Sequence, residues 1–151
     1  MPPHRQARAA GCGEGVSGGF RFLPHTADIR FEAWGSTREQ CLTEAARALV
    51  AAFAEVAVEE AESTRTAEFD GTDEQLLLAV LDEIIYLLDA EGTVPLGIRV
   101  RPRATGIALE LANVAVARAE IIGAAPKAVS LNELQIEHDP RGWHCAATID
   151  V

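Results

Sequence analysis

The sequence predicts an α+β fold, a single domain of two helices packed on an antiparallel-rich mixed β-sheet. Two observations predict it. Two segments of helical apolar spacing each open on a helix-capping pattern, and about six segments of period-two alternation cluster together instead of alternating one by one with the helices.

Order is expected to begin near Gly19. Residues 1–18 are rich in Gly and Ala and lack the apolar stretch of a signal peptide, so they are expected to form a disordered extension, leaving one domain over 19–151. Phe20, Phe22 and Leu23 start an apolar run that stops at Pro24. Beyond His25-Thr26-Ala27, the residues Ile29, Phe31 and Ala33 alternate with Asp28, Arg30, Glu32 and Trp34, which predicts a strand with one buried face and Asp28 on the other. Ser36-Thr37-Arg38-Glu39 has capping-box form, and Leu42, Ala45, Ala46, Leu49, Phe53 and Val56 follow at helical spacing, predicting a helix of about five turns.

Residues 64–70 read as a strand. Thr72-Asp73-Glu74-Gln75 is a second capping box and opens a helix through Leu77, Val80, Leu81, Ile84, Leu87 and Leu88 that Glu91-Gly92 stops. Its wide apolar arc predicts the more buried of the two helices, with Asp82 and Glu83 on a solvated face. Residues 98–103 and 107–114 form a hairpin, while 115–125 shows no clear period. Residues 127–138 make a long strand whose apolar phase slips between Leu131 and Leu134, predicting a bulge. After the turn Asp139-Pro140-Arg141-Gly142, a final strand sets Trp143, Cys145, Ala147, Ile149 and Val151 on one face and Asp150 on the other.

Charge and composition exclude several functions. Thirteen basic against 23 acidic residues give 13 − 23 = −10, and with no Lys/Arg cluster expected to override it, that charge argues against direct nucleic-acid binding. A basic protein partner or a divalent metal suits it better. No apolar run approaches the ~20 residues of a membrane span. Cys12, Cys41 and Cys145 show no CxxC spacing, which fits a reducing cytoplasm. No GxxxxGK[ST] loop supports autonomous nucleotide hydrolysis.

Asp28 and Asp150 share the polar phase of two strands and would face one side if those strands are neighbours. With the terminal carboxylate of Val151 they would form a hard oxygen site for Ca²⁺ or Mg²⁺. Read one at a time, each is equally a solvated carboxylate at a turn or chain end. His25 would orient a carboxylate from behind, or pack as a structural histidine. Lys127 lies on the phase of Val129 and Leu131, either snorkelling to water or sitting as a cation beside the acidic pair.

Five segments in order resemble the archease family: HTADI from His25 to Ile29, Ala33-Trp34-Gly35 before a capped Ala-rich helix, LLLAVLDEIIYLLDAEG from Leu76 to Gly92, KAVS from Lys127 to Ser130, and the ending Ile149-Asp150-Val151. The resemblance implies an accessory protein for the tRNA-splicing ligase that joins RNA ends bearing a 2′,3′-cyclic or 3′-phosphate. Its implied action is to promote guanylylation of that ligase, which uses GTP, and to sustain multiple turnover, with acidic residues near a divalent metal. The implied functional positions are Asp28, Lys127 and Asp150. The chain departs from the family pattern at Ser130, at Asn132 and between Asn113 and Ala119. Two rival readings are a stand-alone metal-dependent hydrolase using Asp28 and Asp150, and a chaperone or scaffold for RNA-modifying enzymes.

Overall fold

The computed structural model describes residues 18–24 and 28–151. The expected extension, Gly18 apart, and with it Cys12 lie outside the described residues, as does His25. The elements run β1 (Gly19–Leu23), β2 (Ile29–Gly35), α1 (Arg38–Ala51), β3 (Ala54–Glu55), β4 (Ser63–Asp70), α2 (Asp73–Glu91), β5 (Thr93–Pro102), β6 (Gly106–Ala115), a 3₁₀ turn (Val116–Arg118), β7 (Glu120–Ile121), β8 (Ala128–Val129), a second 3₁₀ turn (Leu131–Glu133), β9 (Gln135–Asp139) and β10 (Gly142–Asp150).

The two-helix α+β fold is present, but its strands divide into two larger sheets rather than one, and among the described residues every pairing is antiparallel. One sheet has the order β1-β2-β10, with β8 and β9 both along the far side of β10; the other is β4-β6-β5. The helices lie between them. α1 touches β1, β2 and β10 on one side and β5 on the other, and α2 touches β4, β5 and β6 as well as β8 and β9. This position reverses one expectation: seven of the 14 residues of α1 are buried against seven of the 19 of α2. A helix covered by two sheets needs small side chains, and Ala45, Ala46 and Ala48 supply them beside Leu42 and Leu49.

The α2 capping box is complete: Gln75 N–H donates to Thr72 Oγ1 at 3.2 Å, and Thr72 N–H donates to Gln75 Oε1 at 2.9 Å. At α1 the cap is Thr37, not Ser36, and Gln40 takes the place expected of Glu39; its N–H donates to Thr37 Oγ1 while its Oε1 accepts from Ser36. α1 also ends earlier than its apolar spacing predicts. After Ala51 the chain turns, Phe53 stays buried, and its carbonyl accepts from Ile122 N–H as β3 pairs with β7. That pairing organises the segment that shows no period in the sequence. Glu83 is not solvated: it is 14% exposed and lies 3.1 Å from Arg65 Nε.

The predicted bulge near Leu131 is a larger excursion. Val129 pairs with Ile149 and Ile136 with Cys145, so seven residue steps on one side span four on the other, and the turn Leu131–Glu133 is looped out.

Candidate functional site

The odd residues of β2 and β10 face the helices: Phe31, Ala33, Cys145, Ala147 and Ile149 are all buried. The even residues face outward. The antiparallel register puts Trp34 opposite His144, Glu32 opposite Ala146 and Arg30 opposite Thr148, and the last pair is Ile29 with Ile149. Asp28 and Asp150 each lie one residue beyond that last pair, at the same rim of the sheet.

β8 closes the rim from the other side. Ala128 pairs with Asp150, and the N–H of Lys127 donates to the Asp150 carbonyl at 2.8 Å. Asp28, Asp150 and Lys127 thus stand at the ends of three neighbouring segments. Lys127 continues the phase of Val129, so its side chain leaves from the opposite pleat to Asp150, and it is exposed. Val151 follows Asp150 directly.

Among the described residues neither Asp28 nor Asp150 makes an ion pair or a side-chain hydrogen bond. A divalent cation would suit this donor set, which is all oxygen and two carboxylates strong. No group of three or more His, Cys, Asp or Glu gathers among the described residues. The remaining ligands would therefore be backbone oxygens and water, as hard cations accept.

Sequence reasoning missed Arg30. On the same face as Asp28 and two residues on, its Nη1 donates to Thr148 Oγ1 at 3.0 Å and lies 3.8 Å from Glu133 Oε1 in the looped-out turn. Its place on the alternating strand was the available signal. Beyond it, an open cleft of about 260 Å³ is floored by Ala146 and walled by Glu32, Trp34, Gln135, Glu137 and His144. At its far end His144 Nε2 stands 3.4 Å from Asp139 Oδ1, and Asp139 is held below the usual carboxylate range, first by the Arg141 N–H and then by His144. His144 is half-buried, whereas His138 is exposed and stacks on Trp143 with ring centroids 4.6 Å apart.

The expectation of no basic cluster also needs correction. Arg99 and Arg101 alternate along β5 and Arg103 follows just beyond its end, although Arg101 pairs with Glu110, and Arg103 with Glu68 and Asp70.

A profile described as the archease protein family (MTH1598/TM1083) matches residues 20–151. The chain is 41% identical over 152 residues to a probable protein archease of Mycobacterium tuberculosis, covering 99% of this chain and 85% of that protein. It is 28% identical over 135 residues to the protein archease of Archaeoglobus fulgidus, covering 87% and 98%. Among solved structures it resembles protein 1598 of Methanobacterium thermoautotrophicum, with a TM-score of 0.69, 22% identity and coverage of 88% and 99%. It also resembles a Thermotoga maritima protein described as an archease, possible chaperone, with a TM-score of 0.59, 22% identity and coverage of 85% and 94%.

Proposed function

This chain belongs to the archease family, and on that premise we propose that it activates the cytoplasmic RNA-splicing ligase that joins ends bearing a 2′,3′-cyclic or 3′-phosphate. The activation consists of promoting guanylylation of the ligase by GTP and keeping it competent through repeated turnovers. One observation carries the reading. Asp28, Asp150 and Lys127, the three positions that the family resemblance marks out, stand at one rim of the five-stranded sheet although 122 residues (150 − 28) separate the aspartates in the chain.

Asp28 and Asp150 would hold a Ca²⁺ or Mg²⁺ ion, with backbone oxygens, that of Val151 among the candidates, and water completing its shell. A divalent ion supplies charge neutralisation in nucleotidyl transfer. The chain's own part is to fix two carboxylates on one face through the β2–β10 register, so that their geometry is set before a partner arrives. Lys127, anchored through its backbone to Asp150, brings a mobile cation to the same rim for a phosphate or for charge balance. The partner is the ligase, and RNA reaches the complex through it.

The test is single- and multiple-turnover ligation by the cognate ligase with and without this protein. The expected outcome is faster guanylylation and sustained turnover at substoichiometric protein; an unchanged ligase would contradict the proposal. The description of the Thermotoga relative favours a second reading, a chaperone. It predicts protection of unrelated clients from aggregation, with the ligase's guanylylation rate unchanged once the ligase is folded.

A further inference from the structure

Arg30 is a charged group to which the metal chemistry above gives no role. Its side chain is 22% exposed, the least of the ion-paired arginines among the described residues, yet the nearest carboxylate among those residues, Glu133, is 3.8 Å away. Arg38 and Arg103, the next most covered, have carboxylates at 2.9 Å and 3.0 Å. A guanidinium withdrawn this far from water is ordinarily matched by a close, often bidentate, carboxylate. Arg30 is held instead by a neutral hydroxyl, that of Thr148, a residue itself only 2% exposed. The hydroxyl fixes the direction of the side chain, and with Glu133 no closer than 3.8 Å most of its five donors have no hydrogen-bond partner among the described residues.

Its position is as informative as its bonding. The acidic pair lies one strand period away, ~6.8 Å along β2 and β10. On the other side lies the cleft beside Trp34, of which Arg30 is itself a wall.

We infer that Arg30 is a binding residue for the phosphoryl group of a ligand, taken up together with the divalent cation on Asp28 and Asp150; this rests on the metal reading proposed above. The planar fork of a guanidinium matches two phosphoryl oxygens. Without a cation, the carboxylates of Asp28, Asp150 and Glu133 repel a phosphate from this face. Cation and phosphate therefore each raise the other's affinity, by the same factor. The open cleft, about 260 Å³, would take the part of the ligand adjoining the phosphoryl group beside the Trp34 ring. Two ligands share this chemistry, a nucleoside triphosphate and an RNA end with a 3′-phosphate.

The experiment is calorimetric titration of the full chain, first with Mg²⁺ and then with methyl phosphate in the presence and absence of Mg²⁺. Wild type should bind methyl phosphate only with Mg²⁺ present. Arg30→Gln should weaken that binding about tenfold or more, in keeping with loss of a charged hydrogen-bond partner, without weakening Mg²⁺ binding. Arg30→Lys should retain part of it. Glu133→Gln, which removes the competing carboxylate, should tighten it several-fold. If Arg30 and Glu133 only brace the looped-out turn, their variants should change in the same direction; that result, or an Arg30→Gln protein that binds methyl phosphate like wild type, overturns the inference. Uptake of Mg²⁺ without phosphate overturns this inference alone, whereas no uptake of Mg²⁺ overturns the metal reading and this inference with it. Parallel titrations with GTP and with a 3′-phosphorylated dinucleotide identify the source: the natural ligand's arm is the one that Arg30→Gln weakens, and insensitivity of both arms counts against the site.

Discussion

The outer faces of the two larger sheets both carry charged side chains, and they neutralise them differently. On β4-β6-β5 most charges are matched: Arg101 lies 2.6 Å from Glu110, and at the β5–β6 turn Arg103 lies 3.0 Å from Asp70, whose same oxygen accepts from Thr105 Oγ1 at 2.8 Å, while Arg99 alone of the three arginines makes no ion pair among the described residues. On the five-stranded sheet matching stops part-way. Arg21 pairs with Glu32 near the β1 edge, but Asp28 and Asp150 stand at the β10 rim with no partner among the described residues, and Arg30 near them is held mainly by a hydroxyl. Opposite charges across a ladder contribute modestly to stability, and like charges facing each other destabilise it. A fold keeps such a rim for something other than its own stability. The rim at Asp28 and Asp150, rather than the largely paired face, is therefore where a ligand is proposed to bind.

Breaking the unmatched rim should have the largest effect. Asp28→Ala and Asp150→Ala should each reduce ligase guanylylation to the unstimulated rate, while thermal unfolding stays within ~0.5 kcal/mol of wild type or rises slightly as repulsion is relieved. Arg101→Ala, on the matched face, should stimulate normally in the same assay. A change in the shared helical layer should harm both faces alike: Leu49→Ala, fully buried in α1, should cost about 2–5 kcal/mol in denaturant unfolding. Arg103→Ala removes a matched, surface pair and should cost under ~1 kcal/mol, with activation unchanged.

The smallest effect tests burial rather than pairing. Burial in α1 pushes the Glu44 carboxyl above its ordinary pKa, with Arg47 at 4.0 Å offsetting only part of it. A raised folded-state pKa means that Glu44 contributes stability at low pH that is lost as pH rises through the folded value. Glu44→Gln should therefore melt higher than wild type at neutral pH, and the difference should close as the pH falls below the ordinary glutamate range.

Much of this was legible in the sequence because period and capping are local. The alternation from Ile29 to Trp34 placed Asp28 on the outward face, and the Thr72 capping box fixed the start of α2 to the residue. What was not legible depends on contacts between distant segments. The apolar spacing through Phe53 and Val56 imitates a continuing helix, and only the pairing of β3 with β7 shows why α1 stops at Ala51. The slip near Leu131 marked the site of an irregularity, but its size follows from β8 and β9 pairing with the same strand. The rim itself was half legible. Phase put both aspartates on outward faces, whereas the β2–β10 register that makes them neighbours, and the Thr148 hydroxyl that aims Arg30, have no local signature.

The central claim is that Asp28 and Asp150 act as one site, and a double-mutant cycle on ligase guanylylation tests it most directly. Residues that serve one ion lose nearly everything with the first substitution. The account predicts that Asp28→Asn, Asp150→Asn and the double variant all give the same residual rate, close to that of the ligase alone. Losses that multiply, with each single variant retaining partial stimulation and the double falling by the product, would show two independent carboxylates and contradict it.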